Sequence, residues 1–491
     1  MKPIFMLAAI LLPILGGALI PLIPAKNRRC MMVYVESVVL LTSVLVWCLL
    51  THRPNARFPI VNFVNHLSLS LEIDGLGTVF GGLVATLWPL ATLYAFEYMK
   101  KERHERIFFM FYTMTLGVTL GIAFAEDMLT MYFFYELLTF VTFPLVLHTL
   151  TREAILASRR YLYYSLGGAA FAFLGLVFLM VYGTSVDFYL GGVLTARAME
   201  AHTNTLLLIY VIAFFGFGVK AALCPFNAWL PQAGVAPTPV TALLHAVAVV
   251  KAGAFAIIRL TYYSFGADFL RGTWAQTVVM SVVLFTILYG CSRALKETHF
   301  KRRLAYSTIS NLSYILFGVA LMSPLGLTGA LTHMVCHAVM KICSFFCAGA
   351  VICQTERQYV HELDGLGRKM PAVFTIFTLS GMALMGVPGL CGFISKWNLA
   401  QAAAASENPL AYAGIAVLLI SALLTAIYMM SISVRAFFPG AGFNEAALGE
   451  ARDPGWMMLL PLGLFAAAII VLGLHSAPLV GLLSDVAHGL I

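Results

Sequence analysis

The sequence contains little charge. Only 11% of its 491 residues are Asp, Glu, Lys or Arg, whereas a soluble globular domain carries roughly 25%. Long polar segments are also missing, because the longest connections between apolar runs, 52–74 and 435–455, have about twenty residues each. The apolar runs are about 18–25 residues long, which suits α-helices that cross roughly 30 Å of hydrocarbon. The alternating segments of a membrane β-barrel are absent, so we predict an all-α polytopic membrane protein.

Cysteine pairs that could hold a redox centre are lacking too. The chain has nine cysteines and no Cys-x-x-Cys. Cys336, Cys343 and Cys347 share a helix face, but an iron–sulfur cluster needs about four converging thiolates. We interpret them as small buried apolar side chains and predict no metal site, no cofactor and no redox centre in this chain.

The apolar runs predict about fourteen transmembrane helices. Their expected extents are 4–24, 31–51, 75–96, 107–125, 128–150, 161–183, 205–224, 237–258, 274–292, 304–322, 326–353, 371–400, 409–434 and 456–483. With this count, the connections on one side hold 20 Lys and Arg residues and those on the other side hold 6. Basic residues favour the cytoplasmic side. We therefore expect a protein of the cell membrane with both termini on the non-cytoplasmic side. The net charge of +8 is attributed to this loop bias, and no nucleic-acid partner is predicted.

Four lysines are expected inside the membrane rather than in its connections. They are Lys220, Lys251, Lys341 and Lys396, each within a long apolar stretch. A cationic side chain at the centre of the bilayer costs at least ~2.5–3.5 kcal/mol on insertion scales. Four such costs indicate a role in the movement of ions or protons.

A glutamate in the fifth span is the expected partner of the first of these lysines. Glu136 lies within the apolar segment 132–138. If Glu136 and Lys220 moved apart by a few ångströms, Lys220 could switch between holding and releasing a proton. A static structural ion pair is the alternative, although such a pair is weak evidence for stability.

Histidines accompany the next two lysines. His245 precedes Lys251 by six residues. On a continuous helix the two side chains would be about two-thirds of the way around the axis from each other and ~9 Å apart along it, so they could act as successive members of a relay. His333, His337 and Lys341 recur every four residues and form one polar stripe. Histidine suits proton transfer near neutral pH, while ordinary helix packing is the alternative.

Two spans look broken. The seventh ends at Lys220 and runs into Pro225, and the twelfth contains Pro388 and Gly389 shortly before Lys396. Interrupted spans at corresponding positions indicate inverted repeats around a midplane ion site; simple proline kinks are the alternative. We divide the chain into an N-terminal three-helix segment (1–106), two inverted five-helix repeats (107–273 and 274–437) and a C-terminal helix (438–491).

The chain resembles the antiporter-like membrane subunits of respiratory complex I, membrane-bound hydrogenases and Mrp-type multisubunit Na⁺/H⁺ antiporters. The matching segments are 73–76, 135–137, 225–231, 237–245, 250–253, 337–338, Lys341, 367–371, 392–393 and 395–396. The resemblance implies fourteen helices, inverted repeats with broken seventh and twelfth helices, Glu136 and Lys220 as the core pair, and Lys396 at the twelfth-helix ion position. Some branches of the family carry glutamate at that position, and the lysine here looks more like the Mrp D-type subunit or other complex I paralogues.

We therefore expect a proton-translocating subunit, with or without Na⁺ exchange, of a multisubunit respiratory or antiporter complex. Its expected partners are homologous antiporter-like subunits, small membrane subunits, and a hydrogenase or an NADH- or ferredoxin-oxidising arm. A stand-alone carrier for an ion or small solute is the alternative. A cytochrome using His333 and His337 is disfavoured, because residues four apart on one helix cannot bind opposite faces of one haem.

Overall fold

Helices make up almost all the regular structure of the protein. The computed structural model describes residues 2–23, 27–52, 57–63, 67–440, 443 and 448–490. In this part of the chain the α-helices are α1 (Ile4–Leu19), α2 (Arg28–Thr51), α3 (Gly75–Tyr98), α4 (Glu105–Ala123), α5 (Met128–Leu147), α6 (Arg152–Tyr182), α7 (Ala196–Ala201), α8 (Thr203–Lys220), α9 (Trp229–Gln232), α10 (Thr238–Ala246), α11 (Val249–Ile258), α12 (Ala267–Leu270), α13 (Trp274–Lys296), α14 (Phe300–Ala320), α15 (Pro324–Thr355), α16 (Leu366–Lys369), α17 (Pro371–Met385), α18 (Cys391–Ala404), α19 (Pro409–Phe437), α20 (Trp456–Leu474) and α21 (Ala477–Ala487).

Polar residues at the helix starts explain many of these boundaries. The side chain of Asp127 accepts a hydrogen bond from Thr130 N at 2.7 Å, and the Asp74 side chain accepts one from Gly77 N at 2.8 Å. Ser323 caps α15 in the same way. Such caps satisfy backbone donors that the first helical turn leaves free.

Twelve helices of the described residues are long and apolar enough to cross a membrane. They correspond to twelve of the fourteen predicted spans. The other two are α14, which carries three consecutive basic residues (301–303) and several buried hydroxyl groups, and the pair α17 and α18, which is interrupted. The prediction of a helical polytopic membrane protein is confirmed.

The most deeply buried span is the predicted eighth one. Every residue from Thr238 to Phe265 is buried, and α15 packs against α10 and α14. By contrast, only about one-third of the residues in the most apolar segments of α19 and α20 are buried, as expected for helices that face lipid. The ionisable groups of α11 and α15 therefore lie at the centre of the molecule.

The structure interrupts the predicted spans in four places. The two expected breaks occur, after Lys220 and between Met385 and Cys391. The eighth span, predicted to be continuous, is also interrupted between Ala246 and Val249. The fourteenth separates into α20 and α21. A helix that is buried in protein can break within a membrane because its neighbours satisfy the freed backbone groups.

A β-hairpin lies in the connection 52–74, where no strand was predicted. Strand β1 (Phe58–Asn62) pairs antiparallel with β2 (Ser68–Leu71). The hairpin packs against the start of α5, since Ser70 N donates to Thr130 Oγ1 at 2.9 Å. It covers the same end of the molecule as the α4–α5 connection.

Candidate functional site

The first buried lysine sits at the end of a broken helix. Lys220 is the last residue of α8, is fully buried, and its Nζ donates to the backbone carbonyl of Tyr135. The same Nζ lies 3.4 Å from the centroid of the Tyr135 ring. Glu136 Oε1 is 3.9 Å away. The predicted pair is therefore brought together, but loosely, and the lysine has a second partner in Tyr135.

Close packing holds this helix break in place. A Cβ on Gly253 of α11 would lie 2.5 Å from Ala221 N and 2.9 Å from the carbonyl carbon of Lys220, so only glycine allows this approach. Trp229 Nε1 donates at 2.8 Å to the carbonyl of Val219, which also accepts from Ala222 N. The interruption is consequently a fixed feature of the packing, and it places Lys220 next to the helix that carries Lys251.

Lys251 and His337 form a direct contact between ionisable side chains of the two predicted repeats. Lys251 Nζ lies 2.6 Å from His337 Nδ1, and both side chains are fully buried. The helices α11 and α15 supply them from opposite halves of the sequence. A neutral imidazole nitrogen accepts a hydrogen bond from an ammonium group, so this contact can exchange a proton.

His245 stands apart from this contact. Its two ring nitrogens have no hydrogen-bond partner among the described residues, and its ring packs on Phe345 with centroids 4.8 Å apart. The break at Val247 and Ala248 separates it from Lys251, so the helical offset predicted from the sequence does not apply. Its unsatisfied ring nitrogens leave it able to bind water.

The two histidines of α15 form a stacked pair. The rings of His333 and His337 have centroids 5.7 Å apart and planes inclined by 21°. His333 Nδ1 lies 2.9 Å from Ser395 Oγ on α18. The predicted stripe therefore leads from Lys251 towards the helix that carries Lys396.

Lys396 lies at the second predicted break. Its Nζ donates to the carbonyl of Leu384, at the end of α17, at 2.6 Å, and lies 5.3 Å from the centroid of the Tyr314 ring. The residue is only partly buried, in contrast to the other three lysines. The left-handed residues Gly386 (φ 94°) and Gly389 (φ 86°) enclose Pro388 and turn the chain between α17 and α18.

Lys341 points away from the histidine stripe. Its Nζ donates to Ser307 Oγ at 2.7 Å and to the carbonyl of Leu304 at 3.2 Å, both on α14. It is fully buried. The sequence places it on the face of His333 and His337, whereas the structure connects it to the hydroxyl groups of a neighbouring helix.

Buried cations also occur where connections were expected. Arg259 is 1% exposed and forms a bidentate pair with Asp74, with Nη–Oδ distances of 2.5 and 2.7 Å. Lys301, at the start of α14, is also buried, and its Nζ donates to the carbonyl of Ala236 at 2.9 Å. The expectation that only four basic residues lie outside the connections is therefore wrong. An acidic partner compensates the charge of Arg259, and a backbone carbonyl accepts from Lys301.

Glu36 is a further ionisable group that the sequence analysis missed. It lies in α2, is half-buried, and its Oε2 has no hydrogen-bond partner among the described residues. The single carboxylate in an otherwise apolar span was the signal that could have identified it.

Near the end of the molecule that carries Lys301, a cleft of about 590 Å³ reaches the segment between α9 and α10. Its walls include Glu102, Arg160 and Lys301. His299 also lines it, and burial together with the charges of Arg302 and Lys301 lowers the pKa of this histidine.

At the opposite end, carboxylates crowd around the hairpin. Burial raises the pKa of Glu126 to about 7, although Arg57 lies 2.9 Å away. The pKa of Glu72 is also raised, by burial and by the charge of Asp74.

A membrane protein with broken helices and a buried line of lysines and histidines belongs to the class of ion-translocating proteins. Residues 125–425 match the family model described as NADH:quinone oxidoreductase/Mrp antiporter, transmembrane. The chain belongs to this family.

Relatives support the assignment over most of the chain. Subunit N of an NADH-quinone oxidoreductase from Desulforudis audaxviator is 30% identical over 84% of this chain and 83% of its own. Chain 4-3 of an NAD(P)H-quinone oxidoreductase from Nostoc sp. is 28% identical over 91% and 81%. The Na⁺/H⁺ antiporter subunit A1 from Staphylococcus aureus is 28% identical over 95% of this chain and 60% of its own.

Two solved structures have the same fold. A chain of the Mrp complex from Dietzia sp. superposes with a TM-score of 0.86 at 20% identity, covering 99% of this chain and 97% of that one. A chain of an archaeal membrane-bound sulfane sulfur reductase gives 0.82 at 23% identity, with the same coverage.

Proposed function

We propose that the chain moves protons across the membrane as one subunit of a multisubunit respiratory or antiporter complex. The observation that carries this proposal is the contact of 2.6 Å between Lys251 and His337, which joins two ionisable groups inside a fully buried region. Unpaired buried charge is costly in a membrane, and such groups mark ion and proton paths. The names of the relatives, quinone oxidoreductase and Na⁺/H⁺ antiporter subunits, support the same conclusion.

The path runs from Lys220 to Lys396. In this proposal the cleft beside Lys301 admits protons from the cytoplasmic side, and Lys220 receives them while Glu136 holds its charge. Lys251, His337 and His333 then carry them to Lys396, whose partial exposure suits an exit. Water joins members that lack a direct contact, including the free ring nitrogens of His245.

Breaks at spans 7 and 12 also support inverted repeats at 107–273 and 274–437, between an N-terminal segment (1–106) and a C-terminal helix (438–491). In this arrangement fourteen spans cross the membrane, both termini face the non-cytoplasmic side, and Glu136, with 19% of its side chain exposed, faces a neighbouring subunit. Homologous antiporter-like subunits and small membrane subunits are the proposed neighbours.

The test uses membrane vesicles that contain the intact complex. Lys220→Ala and Glu136→Ala should each abolish most proton uptake, while Lys369→Ala, which changes an exposed lysine, should leave it unchanged. Assembly is checked by the amount of each subunit in the purified complex. Normal uptake in both site variants, with normal assembly, would refute the proposal. Repeating the assay with and without Na⁺ separates proton pumping from Na⁺/H⁺ exchange.

A further inference from the structure

A continuous set of buried hydroxyl groups lies beside the histidine stripe. On α14 it comprises Ser307, Ser310 and Tyr314, and on α19 it comprises Ser421, Thr425 and Tyr428. Their spacings of three, four and seven residues place each triplet on one helix face. All six are at most 1% exposed. Hydrophobic side chains would pack these helices equally well, so the hydroxyl groups require an explanation.

One end of the set begins at Lys341. Lys341 Nζ lies 2.7 Å from Ser307 Oγ, and Tyr428 OH lies 2.7 Å from the same oxygen. Tyr428 OH is also 3.1 Å from Thr425 Oγ1. Three consecutive links therefore lead from the lysine to α19.

A thiol on α13 connects the two parts of the set. Cys291 Sγ lies 3.9 Å from Thr425 Oγ1 and 2.9 Å from Ser421 Oγ. Tyr314 OH is 2.6 Å from Ser421 Oγ. The chain of contacts from Lys341 thus reaches Tyr314 with every link within hydrogen-bonding distance for its atoms.

The other end meets the predicted exit. The ring of Tyr314 has its centroid 5.3 Å from Lys396 Nζ and 5.1 Å from that of His333. From Ser307 to Tyr314 the rise along α14 is ~10 Å, and from Lys341 to His333 along α15 it is ~12 Å. The hydroxyl groups and the histidines therefore extend over a similar distance along the helix axes, from the position of Lys341 to that of His333.

We propose that this hydroxyl chain is a second proton-conducting branch, which links Lys341 to Lys396 in parallel with His337 and His333. This inference rests on the proposed function. A hydroxyl group both donates and accepts, and the Cys291 thiol does so weakly, so each oxygen and the sulfur receive one proton and release their own. Lys341 loses a proton, Lys396 gains one, and no hydroxyl group changes charge. Water completes the step from Tyr314 to Lys396.

A purely structural role is the competing explanation, since hydrogen bonds between membrane helices also contribute modestly to stability. The two roles differ in their dependence on the histidines. A structural contact affects stability to the same extent whether or not His337 is present. A parallel branch becomes essential only when the other branch is blocked.

The experiment combines Tyr428→Phe, which removes one oxygen, with His337→Gln, which removes the titrating ring. Proton uptake by vesicles containing the intact complex should fall to about half in each single variant and to less than about a tenth in the double variant, whereas independent effects would multiply to about a quarter. Tyr210→Phe is the matched control: Tyr210 is equally buried and contacts a hydroxyl group, Thr261 Oγ1 at 3.1 Å, but lies outside the chain of contacts.

Two results would overturn the inference. The first is a double variant as active as His337→Gln alone, and the second is a His337→Gln variant that is already inactive. If Tyr428→Phe lowers the amount of complex, Tyr314→Phe tests the same branch and retains the ring beside Lys396. Lys220→Ala distinguishes the two proposals. If Lys220→Ala abolishes uptake while the double variant transports normally, only the branch is refuted. If Lys220→Ala itself transports normally, the proposed function fails.

Discussion

Replacing Asp74 by asparagine should destabilise the protein because Arg259, which stays buried, loses its anionic partner. Asp74 binds both terminal nitrogens of Arg259 and also accepts the cap bond from Gly77 N. The asparagine side chain would keep an oxygen for the cap but would lose the charge. The Arg259 guanidinium would then remain buried without its anion.

The magnitude follows from the burial of each partner. Removing one member of a buried ion pair typically costs about 3–5 kcal/mol. Asp74 keeps a third of its side chain exposed, and the rings of Phe188 and Tyr263 lie 4.6 and 4.7 Å from the guanidinium carbon. Each aromatic contact retains up to about 1–2 kcal/mol. We therefore expect Asp74→Asn to lower the free energy of unfolding by about 2–3 kcal/mol.

The measurement is a double-mutant cycle on protein purified in detergent micelles. Unfolding is followed by tryptophan fluorescence during titration with sodium dodecyl sulfate. Arg259→Met removes the buried cation, so Asp74→Asn should cost less than about 1 kcal/mol in that background. A loss below about 0.5 kcal/mol in the native background, or an equal loss in both, would refute the reasoning.

Three further changes test the packing and the charge balance. Gly253→Ala should cost about 1–3 kcal/mol by overpacking against the helix break, whereas Gly167→Ala, with open space around it, should be neutral or stabilising in the same titration. An equal cost for both would contradict the close approach. Because the pKa of Glu126 is raised, the folded state binds more protons than the unfolded state between pH 4.5 and about 7. We therefore expect the stability of the native protein to fall as the pH rises through this range, and Glu126→Gln should remove this loss. The partly solvated carboxyl limits this to about 1 kcal/mol, and identical thermal midpoints against pH for both proteins would exclude it. Trp229→Phe should cost about 0.5–1.5 kcal/mol because it removes one of the hydrogen bonds to the Val219 carbonyl, and an unchanged unfolding midpoint would show that water replaces the bond.

Span positions and the two lysine-associated breaks were predictable because they depend on local signals. Apolar runs of membrane length and clustered proline and glycine act within a few residues of the feature they specify. The break between His245 and Lys251 carries no such signal. It occurs in the segment Ala246-Val247-Ala248, where Val247 leaves the helical conformation (φ −126°, ψ −56°) although the segment contains neither proline nor glycine.

Partners of the buried groups were less predictable, because they come from distant parts of the chain. The pairing of Glu136 with Lys220 was inferred from charge complementarity and the family resemblance. The contact of Lys251 with His337, by contrast, joins residues 86 positions apart, and periodicity on one helix does not indicate what faces it. Lys341 illustrates the same limit, since it follows His333 and His337 at four-residue intervals on α15 but its side chain turns towards α14.

The two lysines at the broken helices both donate to backbone carbonyls, but only the acceptor of Lys396 lies at a helix end, because Tyr135 is inside the continuous helix α5. Lys220 Nζ donates to the carbonyl of Tyr135, and Lys396 Nζ donates to that of Leu384. Leu384 is one of the last residues of α17, whose terminal carbonyls lack intrahelical partners and carry partial negative charge. A continuous helix would offer no free carbonyl there. The break thus gives Lys396 a neutral acceptor that can hold an ammonium group but, unlike a carboxylate, binds it weakly enough to allow the proton to leave.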